Sequence, residues 1–152
     1  MNAIKPLDIR QSCFSSNAIT SDMFDLLCGE FIGFGISRAV YECKIYDDAV
    51  VKIEYGDYFQ NIYEFQAWQR VELTDFSKWF APCIRISPSG KVLIQKRTTD
   101  LHLYPAKIPA FFTDVRCDNW GKYKNRPVCH DYGLNLLMEV GMTKRMRKAN
   151  WD

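Results

Sequence analysis

The sequence predicts an α+β domain built on a five-stranded antiparallel sheet with one long helix. Two observations lead to this fold class. The chain has 152 residues, 47% hydrophobic and 25% charged, which suits one compact domain with a packed core. Over the first two-thirds, short apolar segments alternate with turn signals, and a single long segment has helical spacing.

The first elements are an arm and a short helix. Residues 1–19 are mixed in composition and are expected to form a loosely attached N-terminal arm. Ser21 and Asp22 can cap a short helix that runs through Leu27. Gly29 would end this helix.

Three strands are predicted between residues 30 and 54, as an antiparallel meander. The first strand approaches a glycine turn that begins at Gly33. The second and third strands, over residues 39–45 and 49–53, flank the turn residues 46–48.

A helix and two more strands complete the first two-thirds of the chain. Apolar residues fall at helical spacing over residues 58–73. The two strands, over residues 82–87 and 91–96, are joined by the turn signal Pro88-Ser-Gly90.

The last third has weaker signals. Pro105 and Pro109 exclude a long helix from residues 97–113. Residues 121–129 can form a small hairpin. Residues 134–149 are expected to form a final helix.

Composition excludes several classes of protein. The six cysteines form no C-x-x-C pair, which disfavours a disulfide scaffold or a zinc site and favours reduced thiols. Residues 1–10 lack the apolar core of a signal peptide, and no run approaches the roughly 20 apolar residues of a membrane span. A formal charge of +2 is too small to indicate nucleic-acid binding. We therefore expect a cytoplasmic protein without a membrane partner.

Four short motifs follow one another along the chain. They are Gly33-Phe-Gly35-Ile-Ser-Arg38-Ala-Val40, Val50-Val-Lys52-Ile53, Asp114-Val-Arg116-Cys-Asp-Asn119 and Asp131-Tyr-Gly133. Each is common alone, whereas their order on the predicted elements resembles the protein-kinase fold. The likeness is greatest to the very short kinase-like proteins encoded by some bacteriophages, and it covers residues 29–133.

The resemblance assigns the first motif to nucleotide binding. It implies that Gly33 and Gly35 let backbone amides approach phosphate oxygens, and that Val40 packs against adenine. Arg38 stands where the family has a third glycine, and an arginine could itself reach phosphate. The alternative for the glycines is a plain hairpin turn.

The resemblance also implies an ion pair beside the nucleotide. Lys52 would hold the α- and β-phosphates and pair with Glu64, 12 residues further along the chain. The alternative is an exposed lysine on an edge strand and a solvated glutamate.

The last two motifs would supply the catalytic and metal-binding groups. The resemblance implies that Asp114 accepts the proton of a substrate hydroxyl and that Arg116 contacts the γ-phosphate. Asn119 and Asp131 would bind Mg²⁺. The His-Arg pair that precedes this aspartate in the family is Phe112-Thr113 here, so control through a phosphorylated activation loop is not expected.

By the same resemblance, residues 29–97 form a small-lobe-like region and residues 98–152 a severely truncated large lobe. Only 16 residues lie between Arg97 and Asp114, and 19 follow Gly133. These lengths leave little room for a peptide-docking platform. The function they favour is a minimal kinase-like protein that binds ATP and Mg²⁺ and transfers phosphate to a hydroxyl group of a small molecule or an exposed protein side chain.

Two other functions stay open. One is a catalytically inactive kinase-like phage protein that binds and inhibits a host protein through an exposed aromatic patch. The candidate anchors are Phe76, Trp79, Phe80, Phe111 and Phe112, although core packing is the expected fate of most of them. The other is nucleic-acid binding through the basic segment 144–148 and Trp151. That segment is more typical of a solvated helix end, so nucleic acid is disfavoured.

Overall fold

The computed structural model describes residues 18–152, with side chains from Ser21 onward. Residues 1–17 of the predicted arm lie outside the described residues. The chain divides into two compact units. Where described, the first unit comprises residues 18–61 and 83–96, and the second comprises residues 62–82 and 97–152.

The first unit is one helix followed by a five-stranded sheet. Its elements are α1 (Ala18–Leu27), β1 (Cys28–Phe34), β2 (Arg38–Cys43), β3 (Ala49–Glu54), β4 (Cys83–Ile86) and β5 (Val92–Lys96). All neighbouring strands are antiparallel, in the order β1-β2-β3-β5-β4. The predicted α+β class and antiparallel sheet are therefore confirmed.

The first helix begins earlier than predicted. It starts at Ala18, so Ser21 and Asp22 lie inside α1 and the predicted capping role is wrong. Alanine has the highest helix propensity, which favours extension of the helix towards the N-terminus. The predicted last residue, Leu27, is confirmed, but β1 begins at Cys28, so Gly29 lies in that strand and its predicted role in ending the helix is wrong.

One face of the sheet carries the apolar core of the first unit. Tyr41, Val51 and Ile53 are buried together with Phe24 of α1. The Phe24 ring lies edge-on to the Tyr41 ring, with 5.2 Å between centroids. Because side chains alternate along a strand, the residues between these core positions point to the other face.

The opposite face of the sheet is buried but polar. Arg38, Lys52, Glu54 and Gln95 lie on it, and each is buried. Buried polar groups are costly without hydrogen bonds. Packing alone therefore does not account for these four residues, which need hydrogen-bond partners.

The second unit contains most of a long helix and two small two-stranded sheets. Its regular elements are α2 (Gln60–Val71, whose first two residues belong to the first unit), β6 (Lys107–Pro109), β7 (Trp120–Tyr123), β8 (Arg126–Cys129), α3 (Leu137–Val140) and β9 (Met146–Lys148). β6 pairs with β9 and β7 pairs with β8, both antiparallel. The sequence grouped residues 62–82 with the sheet, whereas in the structure they cluster with the second unit.

Aromatic side chains form the core of the second unit. Phe80, Phe111 and Phe112 are almost completely buried, with ring centroids 4.8–5.8 Å apart. Phe76 and Trp79 are half-buried against this cluster. The exposed anchor patch does not form, and the core packing expected for most of these aromatic residues is confirmed. Large rings remove the most apolar area from water when they pack on one another.

The predicted C-terminal helix over residues 134–149 is also wrong. α3 has four residues and ends at Gly141, whose φ is 72°. A left-handed glycine ends a helix readily. The chain then extends into β9, and the backbone N–H of Ala110 donates to the carbonyl of Arg145 at 2.9 Å. The basic segment therefore lies on a strand and not at a helix end.

α2 is the longest helix of the described chain, with 12 residues. Within residues 18–152, no helix combines the length and the apolar composition needed to span a membrane.

Candidate functional site

Three of the predicted nucleotide-binding residues lie in one row across the sheet of the first unit. Gly33 pairs with Val40, Val40 with Lys52, and Lys52 with Leu93. Side chains directly opposite each other in an antiparallel pair share a face. The structure therefore places the Val40 and Lys52 side chains side by side on the polar face, opposite the apolar core. Lys52 is only 4% exposed, so the exposed-lysine alternative is wrong.

The two glycines of the first motif are not required by the local packing. A Cβ built on Gly33 or on Gly35 would meet no atom within 4 Å, and neither residue has a positive φ. The turn itself is closed by backbone hydrogen bonds, from Gly35 to Arg38 at 2.8 Å and from Tyr55 to Ser37 at 2.9 Å. The space beside the backbone at Gly33 and at Gly35 is therefore open to a ligand.

A buried hydrogen-bond network lies on the same face as Lys52. Arg38 donates through Nη1 to Oδ1 of Asn61 at 3.2 Å, and Asn61 donates through Nδ2 to the carbonyl of Lys52 at 3.1 Å. Glu54 accepts the amide N–H of Asn61 at 2.8 Å and that of Phe59 at 2.9 Å. Arg38 thus makes a protein contact, and its proposed contact with phosphate stays a prediction.

Sequence motifs did not predict the roles of Glu54 and Asn61. Glu54 caps the N-terminal end of α2 by accepting two amides that the helix cannot satisfy itself. It lies several residues before the helix, beyond the spacing of ordinary capping motifs. The one available signal is an acidic residue at the end of an apolar strand, where a charge is costly unless it is hydrogen-bonded.

In the second unit, the β7–β8 hairpin brings the third and fourth motifs together. Asn119 directly precedes β7, and Asp131 follows β8 by two positions. The amide N–H of His130 donates to the carbonyl of Asn119 at 2.8 Å. Lys124 and Asn125 both have positive φ, as a two-residue type I′ turn requires. The predicted hairpin is confirmed, and it places Asn119 and Asp131 at the same open end.

The His130 side chain fixes this end of the hairpin through two hydrogen bonds. Its Nε2 lies 2.7 Å from the carbonyl oxygen of Asp118, and its Nδ1 lies 2.8 Å from Oγ1 of Thr98. A carbonyl only accepts hydrogen bonds, so Nε2 carries a proton. His130 directly precedes Asp131, and Asp118 directly precedes Asn119. The hydrogen bond between them therefore ties the fourth motif to the third.

The third motif forms a short loop around Asn119. Asn119 is 6% exposed, and its Nδ2 lies 3.5 Å from the backbone carbonyl of Asp114. The Asp114 side chain is exposed. Arg116 is exposed too, and its Nη2 lies 3.0 Å from Oδ2 of Asp118. Such surface ion pairs contribute little to stability, so Arg116 can exchange this carboxylate for another anion.

The fourth motif is held by helix α2. Glu64 is fully buried, and its Oε1 accepts the amide N–H of Tyr132 at 2.7 Å. The Tyr132 hydroxyl donates to the carbonyl of Ala81 at 2.7 Å. The solvated-glutamate alternative is therefore wrong. The pairing of Glu64 with Lys52, which belongs to the first unit, stays a prediction.

The oxygen atoms at the open end of the hairpin suit Mg²⁺. This ion prefers oxygen ligands, keeps several waters and is usually bound through one or two carboxylates together with phosphate oxygens. Asp131 has an exposed carboxylate, and Asn119 has an amide oxygen whose neighbouring Nδ2 faces Asp114. In residues 18–152, no three His, Cys, Asp or Glu side chains are grouped so that they could hold a metal ion.

Gly121 is a point at which the hairpin has no spare room. A Cβ at this position would collide with the Thr98 side chain and lie 2.9 Å from the backbone oxygen of Thr99. We expect Gly121→Ala to lower the free energy of unfolding by about 2 kcal/mol, as overpacking does. Urea denaturation followed by circular dichroism measures this change.

Gly33→Ala is the matched control for that substitution. Because a Cβ at Gly33 meets no atom within 4 Å, its effect should stay within about 0.5 kcal/mol. Equal effects of the two substitutions would contradict the close approach of Gly121 to Thr98.

Comparison of the chain with protein-family models, with curated proteins and with solved structures found no match.

Proposed function

We propose that this protein is a minimal kinase-like protein that binds ATP with Mg²⁺ and transfers the γ-phosphoryl group to a hydroxyl. The observation that carries the proposal is the β7–β8 hairpin. It brings Asn119 and Asp131, which are 12 positions apart, to one end, where the His130 amide bonds to the Asn119 carbonyl at 2.8 Å. An asparagine and an aspartate are the pair of side chains through which protein kinases hold Mg²⁺.

The row across the sheet supports the nucleotide part of the proposal. Val40 offers an apolar surface to a base, and Lys52 offers a cation for phosphate oxygens. The open space beside Gly33 and Gly35 suits a phosphate chain that approaches backbone amides. The strand order β1-β2-β3-β5-β4, with a helix between β3 and β4, agrees with the kinase-like small lobe expected from the resemblance.

The chemistry follows from the roles of individual side chains. The substrate hydroxyl oxygen would form a bond to the γ-phosphorus while the bond to the β,γ-bridging oxygen breaks and ADP leaves. The Asp114 carboxylate would accept the hydroxyl proton. Arg116, once released from Asp118, would stabilise charge on the transferred group. Mg²⁺ would neutralise phosphate charge at Asn119 and Asp131.

Replacing Lys52 with alanine tests the proposal. We expect the variant to bind ATP about tenfold more weakly in the presence of Mg²⁺, because one direct phosphate contact is lost. Equilibrium dialysis with labelled ATP measures the dissociation constant. Release of labelled ADP over hours then measures phosphoryl transfer to water or to added hydroxyl compounds.

Lys44→Ala is the control, since Lys44 is an exposed lysine of the same unit and lies outside the row formed by Gly33, Val40 and Lys52. It should bind ATP as the wild type does. Absence of ATP binding by the wild-type protein, or equal binding by both variants, would refute the proposal. Binding without ADP release would restrict the function to nucleotide binding.

A further inference from the structure

We infer that a groove along β9 binds an extended, acidic segment of another protein. The groove has a volume of about 510 Å³ and lies entirely within the second unit. Its lining comes from Ala110, the α3 region, Thr143 and the segment 145–147. We refer to it as the β9 groove. This inference is independent of nucleotide binding.

The walls of the β9 groove are apolar and exposed. Leu136 is 38% exposed, Val140 50% and Met146 41%. Met138 and Met142, in the same segment, are exposed as well. Adjacent exposed apolar side chains of this size indicate a binding surface, and flexible methionines adapt to varied partners.

The outer edge of β9 is suited to strand addition. In the described chain, β9 has one strand neighbour, β6. The Arg145 carbonyl accepts from Ala110, and the Ala149 amide donates to Ala106, both on the β6 side. Because backbone groups alternate between the two edges of a strand, those of Met146 and Lys148 point away from β6. An extended peptide could pair with them.

The charge around the groove specifies the partner. Lys144, Arg145, Arg147 and Lys148 carry four positive charges, and no acidic residue lies between Glu139 and Asp152. Arg147 is held in place by a hydrogen bond from Nη1 to the carbonyl of Phe112 at 3.1 Å. Carboxylates on the partner would complement these charges.

Together these features favour a peptide over a nucleic acid. Phosphates could meet the basic side chains, but they would use neither the apolar walls nor the open strand edge. A strand that alternates apolar and acidic residues would use all three features. Its apolar side chains would enter the groove between Leu136, Val140 and Met146, and its carboxylates would reach Arg145.

Selection from a random 12-residue peptide library on the immobilised full chain tests the inference. We expect enriched peptides to alternate Asp or Glu with apolar residues. A fluorescent copy of the most enriched peptide then gives dissociation constants by anisotropy. Arg145→Glu should weaken its binding at least tenfold, and Val140→Asp should weaken it similarly.

Lys124→Glu, a charge reversal in the exposed β7–β8 turn, is the matched control and should change binding less than twofold. Thermal melts establish that each variant is folded. The inference is overturned if no peptides are enriched, if those enriched lack acidic residues, or if Arg145→Glu binds them as the wild type does. Displacement of the peptide by a DNA duplex at comparable concentration would assign the surface to nucleic acid instead.

Discussion

Replacing Asp131 with asparagine is expected to weaken Mg²⁺-dependent ATP binding by about 100-fold. The substitution removes one negative charge from the predicted metal site and leaves the side-chain shape almost unchanged. Binding of Mg²⁺ depends strongly on carboxylate charge, because an amide oxygen alone offsets little of the free energy needed to remove water from the ion. The effect should be confined to measurements with Mg²⁺, and ATP binding in EDTA should be unaltered.

The same substitution at Asp100 provides the control. Asp100 is an exposed aspartate of the same unit and lies outside the third and fourth motifs. Asp100→Asn should bind Mg²⁺ and ATP within twofold of the wild type. Calorimetric titration with ATP, in Mg²⁺ and in EDTA, measures the dissociation constant of ATP with and without the metal. If Asp131→Asn loses affinity equally with and without the metal, Asp131 is not a metal ligand.

The elements predicted best from the sequence are those specified by local signals. β2, β3 and β5 are apolar segments bounded by turn residues. The turn at residues 88–90 forms as predicted, with Gly90 at a φ of 77°. The β7–β8 hairpin follows the same logic. In each case the favoured backbone conformation of a few neighbouring residues agrees with the fold.

The elements predicted worst depend on distant partners. Residues 134–149 have enough apolar and basic residues to suggest a helix. Their actual structure is set by Gly141 and by pairing with β6, nearly 40 positions earlier in the chain. Core packing was expected for most of the candidate anchors, but which rings meet, such as Phe80 and Phe111, depends on distant parts of the chain. Pattern alone does not separate a core aromatic from an exposed one.

The candidate site was predicted as a set of residue types, and the structure adds how they are held. The resemblance to the protein-kinase fold selected Lys52, Asn119 and Asp131. Their supports, the network around Asn61 and the His130 bridge, involve backbone groups as partners. Any residue can provide a backbone group, so these supports leave no pattern in a single sequence.

Replacement of Glu64, which holds the fourth motif, should lower the free energy of unfolding more than replacement of Gly121 does. We expect Glu64→Ala to lower the free energy of unfolding of the second unit by about 3 kcal/mol. The substitution removes the hydrogen bond from the Tyr132 amide, leaves that buried amide without its acceptor and opens a cavity. Glu64→Gln keeps an acceptor oxygen and the side-chain volume, so its cost should be about 1 kcal/mol.

Tryptophan fluorescence in urea measures this change selectively, because all four tryptophans, at positions 68, 79, 120 and 151, lie in the second unit. Gln66→Ala is the control, since Gln66 is an exposed residue on the same helix, and it should change stability by less than about 0.5 kcal/mol. If Glu64→Ala costs no more than Gln66→Ala, the Glu64–Tyr132 hydrogen bond does not hold the fourth motif. If Glu64→Ala lowers stability as expected and ATP binding persists at saturating Mg²⁺, Glu64 supports the fold and not the nucleotide.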